Sequence, residues 1–348
     1  MKKKGQHFAI LSAILFGMSP VACKAIVGQM PSMLLAGLLY LGSGLGLTGV
    51  VLRQRTGFCD IPGSLSWRQW LNLTGAILAG GIAAPLFLAY GIRHGTATEV
   101  SLLLNFESVA TTLLAWMIFH EHIGSRVWIG KLFIIGASVL VILTGSGELK
   151  LSISGLSVLA ACLLWGIDNN LTRELEVLPA SLLACLKGWS AGIFNVALSL
   201  FLFRSQVTVL QVSGALVIGA LSYGASLVLF IHALREIGSA RTSTWFAAGP
   251  FIGAILSVIL LGERPPGEYW IAALIMFSGM LFLYGEAHRH THSHDRRAHS
   301  HPHADDEHHF HEHGEEQYAE GKHDHLHVHE PITHAHAHWP DIHHRHIH

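Results

Sequence analysis

Twenty-two of the 27 histidines lie between His288 and His348, and most alternate with a single other residue. The run reads His288, His290, His292 and His294, then His299, His301 and His303. It continues with His323, His325, His327 and His329, then His334, His336 and His338. Neutral imidazole is a ligand for Ni²⁺, Co²⁺, Zn²⁺ and Cu²⁺, and acids such as Asp305, Asp306, Glu307, Glu312, Glu315 and Glu316 add charge that attracts cations. A protonated ring cannot coordinate, so capture is expected to weaken below about pH 6. Copper(I) chemistry is disfavoured: Met280 is the last sulfur in the chain, and Cys23, Cys59, Cys162 and Cys185 are scattered. An expression tag would be a uniform run, whereas this stretch interleaves acids, Pro302, Pro331 and Pro340.

A second set of chemically capable residues lies in apolar stretches, where an ionisable side chain costs at least about 2.5 kcal/mol and so marks a cavity or a partner. Glu107 is expected to bind a cation or carry a proton; the competing role is an ion pair with Lys24 or Lys187. Asp168, beside Asn169 and Asn170 with Thr172 one turn on, offers oxygens that replace part of a divalent ion's hydration shell. Its competing role is a solvated cluster at a membrane mouth, paired with Arg173. Glu99 and His94 are either exit-side proton or metal groups or ordinary interfacial residues. Thr98, Ser101, Asn105, Ser108 and Thr112 fall on one helix face, suited to helix packing or to lining a pathway. Asn105 and Glu107 stand about 200° apart around a helix, so they cannot line one narrow pore together. His120 and His122 flank Glu121 and are candidates to pass metal from the tail, against simple solvation of a helix end.

The elements that position these groups follow from composition. The chain is 51% hydrophobic and 13% charged, where soluble domains carry about 25% charged residues, so a membrane protein is expected. Its net charge of −1 counts histidine as neutral. Ten apolar segments are each long enough to cross a bilayer. They are segment 1 at 8–27, segment 2 at 32–52, segment 3 at 70–92, segment 4 at 97–119 and segment 5 at 127–144. The rest are segment 6 at 154–172, segment 7 at 181–203, segment 8 at 212–234, segment 9 at 239–261 and segment 10 at 268–285. Met1-Lys-Lys-Lys imitates the start of a signal peptide, but Ser19-Pro20-Val21-Ala22 is a poor cleavage site, so segment 1 is expected to be a transmembrane helix. Lys and Arg concentrate in one set of loops, which places both termini in the cytoplasm.

The two halves repeat. Gly95-Thr-Ala-Thr opens segment 4 and Gly238-Ser-Ala-Arg opens segment 9; Glu121 and Glu263 close them. Phe16-Gly17 and Trp165-Gly166 occupy matching places in segments 1 and 6, each followed seven residues on by a cation, Lys24 and Arg173. An odd number of segments per repeat makes the second copy inverted, an architecture that puts the substrate site near the midplane. These features resemble the EamA family of the drug/metabolite transporter superfamily over about residues 8–285. The histidine tail is similar to that of nickel/cobalt-resistance transporters. One departure is that segment 9 carries the family's frequent proline, Pro250, where segment 4 has Glu107.

The expected fold is an all-α membrane protein of ten transmembrane helices in two inverted five-helix repeats (8–144 and 154–285), with a disordered cytosolic metal-binding tail over 286–348. No G-x-x-x-x-G-K-[ST] motif or soluble enzyme domain occurs, so neither a nucleotide-driven motor nor an enzyme is expected. The resemblance and the tail imply an inner-membrane exporter of Ni²⁺, Co²⁺ or Zn²⁺, driven by proton antiport, with Glu107 and Asp168 exchanging cation and proton. An exporter of an amino acid or other organic metabolite is the alternative, and an anchored metal store a third. Expected partners are the lipid bilayer, divalent metal ions as cargo and tail ligands, protons and a second copy in a homodimer; no cofactor is required, and no nucleic acid is involved.

Overall fold

Backbone polar groups in hydrocarbon must be satisfied within their own segment, so the apolar runs fold as helices. The computed structural model describes residues 2–53, 65–119, 124–144, 152–175, 177–204, 206–237, 242 and 245–284, with 288–294, 297–303, 323–329 and 332–338 in the tail. Seven helices are long and apolar enough to cross a membrane: Lys4–Val27, Ser32–Arg53, Trp67–His94, Ala97–Ile118, Ser125–Thr144, Ala180–Leu202 and Val209–Ala233. Gly249–Leu261 and Gly267–Phe282 are shorter apolar helices, and Ile153–Arg173, which carries Asp168, is a helix of 21 residues. In chain order these helices occupy segments 1 to 10. Met1–Glu286 forms one compact, multi-pass helical unit.

Segment 9 is interrupted by a turn at Ala247 and Ala248, after helical Trp245 and Phe246. Its regular helix begins at Gly249 because Pro250 has no N–H to donate and fits only in a first turn. Segment 4 breaks at the matching place without a proline. Ala97–Leu103 and Phe106–Phe119 are joined through Leu104 and Asn105. The backbone tightens there, with Asn105 N–H donating to Leu102 O at 3.2 Å and Glu107 N–H to Leu104 O at 3.1 Å.

Segments 3 and 8 share a different irregularity. Each opens with a capping box, Ser66 with Gln69 and Thr208 with Gln211. In each, ten α-helical residues then widen into a seven-residue π-helix, Ile77–Ala83 and Gly219–Ala225. Such insertions concentrate at functional sites.

Segment 2 packs along segment 7, 5 along 10, 4 against 9, 1 against 8 and 3 against 6. The pattern is unchanged when every segment is exchanged for the one five places away. Segments 2 and 7 approach closely at Gly44 and Gly188, where a methyl group would overlap the facing backbone. Buried side chains including Leu35, Leu39, Leu88, Leu103 and Met276 fill the interior between the helices.

Ala287–His348 is a separate unit. Four stretches of it run as extended chain. His288–His294 pairs antiparallel with Ile332–His338, and Arg297–His303 with His323–His329. The alternation of histidine with one other residue has the two-residue period of an extended chain.

Candidate functional site

Segment 6 carries its polar cluster to the place where segments 3, 4 and 7 converge on it. Asp168 and Lys187 are each 4% exposed. The lysine Nζ donates to both carboxylate oxygens of Asp168, at 2.6 and 2.5 Å. Thr172 Oγ1 adds a third hydrogen bond at 3.0 Å. Asp168 lies against Gly80 in the π-helix of segment 3, where any side chain would overlap its carboxylate. The Gly80 carbonyl accepts from the Tyr40 hydroxyl at 2.5 Å and from the Trp165 indole at 3.1 Å. Asp168 is therefore buried and holds an internal cation, rather than sitting solvated at a membrane mouth; the Arg173 side chain lies outside the described residues.

Glu107 opens the second half of segment 4, just past the break, and is partly buried. Asn169 Nδ2 donates to Glu107 Oε1 at 2.9 Å and to Thr111 Oγ1 at 3.2 Å. Asn170 holds the same junction, donating to the carbonyls of Thr111 at 3.1 Å and Gly166 at 2.8 Å. Neither anticipated ion pair of Glu107 forms. Lys187 is committed to Asp168, and Lys24 Nζ donates to the carbonyls of Ile92, Arg93 and Gly95 at 2.8, 3.2 and 2.6 Å. Consecutive residues of a helix face directions about 100° apart, so Asp168 addresses segments 7 and 3 while Asn169 addresses segment 4. The two acids thus flank one helix, and Glu107 lies within electrostatic reach of both Asp168 and Lys187.

Asn105, in the break itself, turns to other partners than this cluster. Its amide donates to Leu102 O at 3.3 Å and approaches Met276 Sδ in segment 10 at 3.7 Å. Other residues of the hydroxyl stripe bond to segment 9 or within segment 4. Thr98 Oγ1 bonds to Ser257 at 2.7 Å, and Thr112 Oγ1 to the Ser108 carbonyl at 2.8 Å. The buried Ser101 hydroxyl has no partner among the described residues. Lys131, 4% exposed, places its ammonium on the same Ser108 carbonyl at 2.9 Å.

At the Ala97 end of segment 4, Glu263 accepts from the N–H groups of Ala97 and Thr98 at 2.7 and 2.9 Å and from Thr98 Oγ1 at 2.7 Å. A carboxylate so placed satisfies orphan donors and the helix dipole together. Glu99, 2% exposed, accepts from the hydroxyls of Ser152 and Ser154. His94 is exposed and packs against Tyr90 at a tilt, with ring centroids 4.3 Å apart. Glu99 and His94 therefore turn to separate partners. Phe16 and Trp165, the matched aromatics of the two halves, meet edge-on with centroids 6.0 Å apart. Tyr223 joins them against Phe16 and Tyr40.

Among the described residues, no group of three or more His, Cys, Asp or Glu side chains converges as a metal site. His120, Glu121 and His122 lie outside the described residues, as do the side chains of the tail histidines. The sequence named Lys187 only as a partner for Glu107, and it passed over Lys131 and the roles of Tyr40 and Gly80. A lysine within an apolar run was signal enough for the first two; the Gly80-Gly81 pair was a weak signal for the last.

The EamA-like transporter family model matches residues 3–143 and 153–285. An uncharacterized transporter of Methanothermobacter thermautotrophicus is 25% identical over 299 residues, covering 82% of this chain and 87% of that relative. A probable amino-acid metabolite efflux pump of Salmonella typhimurium is 25% identical over 296 residues, covering 80% and 94%. A protein of known crystal structure shares the fold at a TM-score of 0.63 and 16% identity, over 81% of this chain and 98% of its own. With matches across both halves and helices that follow the same five-segment exchange, the chain belongs to the EamA-like transporter family.

Proposed function

We propose that the protein is a ten-helix secondary carrier of the bacterial inner membrane that exports divalent transition-metal cations in exchange for protons. Ni²⁺ and Co²⁺ are its first cargo and Zn²⁺ its second; both termini are cytoplasmic. The observation that carries the choice of cargo is the tail, with 22 histidines after Tyr284. Support for a carrier of inverted repeats, 8–144 and 154–285, comes from the matched breaks in segments 4 and 9 and the matched π-helices in segments 3 and 8. Interrupted segments at corresponding places are where such carriers bind substrate. Glu107 suits the coupling role: it is partly exposed, its bonded partner is the neutral Asn169, and it stands at a break. Asp168 contributes a second carboxylate once its lysine moves away.

One observation favours a second reading, export of an amino acid or other organic metabolite. The charges of Glu107, Asp168 and Lys187 include both signs, which also suits a zwitterion, and the Salmonella typhimurium relative is named for amino-acid metabolite efflux. Uptake of radiolabelled nickel into inverted membrane vesicles under a proton gradient separates the two. Wild type accumulates nickel, and Glu107→Gln, which cannot exchange a proton, falls by more than about tenfold. A version ending at Tyr284 is slower at low nickel and equals wild type at saturation. Failure of wild type to accumulate nickel sinks the metal reading.

A further inference from the structure

Asp168 and Lys187 take two ions out of water, and apolar residues of similar size would avoid that cost. The pair sits within electrostatic reach of Glu107, at the junction of segments 3, 6 and 7. We propose that Lys187 is a tethered counter-cation: in the empty carrier its ammonium holds the place on Asp168 that a cationic cargo takes in the loaded carrier. The inference rests on the cation-carrier reading above and adds a device for returning empty.

The geometry supplies the parts. The ammonium bonds both carboxylate oxygens, at 2.6 and 2.5 Å, and so covers the face an incoming cation needs. Its backbone is fixed, because the next residue, Gly188, is pressed against Gly44 of segment 2. Displacement therefore falls to the four-carbon side chain, which is flexible and carries a compact charge. Thr172 holds the carboxylate from another side and keeps it in place when the lysine leaves. With Lys187 on Asp168 and a proton on Glu107, the empty site has no net charge. With the lysine removed, the empty carrier must reorient around a bare buried carboxylate, whereas the loaded carrier still has its cargo to neutralise it.

The test uses full-length protein in liposomes with Ni²⁺ as the probe, measuring net nickel efflux and nickel–nickel exchange. Exchange never requires the empty carrier to reorient; net efflux does. Lys187→Gln is expected to slow net efflux by more than about tenfold and exchange by no more than about threefold, because only the empty state retains an unpaired buried charge. Lys187→Arg keeps a permanent charge and should keep net efflux within about threefold of wild type. Should Lys187→Gln fail to fold, the uncharged pair Asp168→Asn with Lys187→Gln removes the imbalance. That variant has lost the cation's place and should slow both modes by more than about tenfold. Equal slowing of both modes in Lys187→Gln, or wild-type exchange in the double variant, overturns the tethered cation while leaving the carrier intact. Wild-type liposomes that move nickel in neither mode overturn both the inference and the reading beneath it.

Discussion

Asp168 and Glu107 are acids of similar intrinsic strength whose surroundings give them different work. Asp168 is sealed behind a lysine and a threonine, while Glu107 keeps partial exposure and an amide donor. Glu263 shows a third use of a carboxylate in the same unit. It accepts two backbone N–H groups and a hydroxyl where segment 4 begins, binding the end of segment 9 to the start of its counterpart. Glu263→Ala removes both acceptors and leaves the Ala97 and Thr98 N–H groups without that partner. A loss of about 1–2 kcal/mol of stability is expected, as for other helix caps. It should appear as a lower unfolding midpoint of the detergent-solubilised protein. An unchanged midpoint would mean that water or another group replaces the carboxylate without cost.

At the scale of elements, helix positions were legible and helix interruptions were not. Apolar length located the seven helices long enough to cross a membrane and the two shorter apolar ones, and Pro250 marked where segment 9 starts its regular helix. The break at Leu104 and Asn105 contains neither proline nor glycine, so only its match to segment 9 in three dimensions reveals it. The π-helices escaped for a similar reason. Gly80 and Gly81 are compatible with an ordinary transmembrane helix, and the wide turn is set by what approaches it: Asp168, Tyr40 and Trp165. The Asp168–Lys187 pair spans two successive helices, a tertiary fact that residue spacing does not contain. Gly80→Ala tests this crossing. The added methyl group meets the Asp168 carboxylate, and overpacking of this kind costs about 1–3 kcal/mol. Gly136→Ala in segment 5 is the control, because nothing lies within 4 Å of the added carbon and alanine favours the helix. The expected outcome is a lowered unfolding midpoint for Gly80→Ala and an equal or higher one for Gly136→Ala. Equal midpoints at or above wild type would show that the π-helix yields easily.

At the scale of the whole molecule, a helical unit with carrier features is joined to a tail whose chemistry answers to pH. The unperturbed imidazole titrates near about pH 6.5, and only the neutral ring coordinates a metal. Metal capture by histidine is therefore present above that pH and lost as pH falls through it. The tail also holds carboxylates, which stay ionised well below pH 6, so the two ligand types respond differently to acid. Equilibrium dialysis of full-length protein against a version ending at Tyr284 reads that difference directly. At pH 7.5 the full-length chain should bind several more nickel ions per molecule than the shortened one. At pH 5.5, where about a tenth of the rings remain neutral, the excess should nearly vanish. An excess that survives at pH 5.5 would assign the binding to the acids instead of the histidines. The tail would then hold hard and soft divalent ions alike, and the argument from tail to transition-metal cargo would lose its chemical basis.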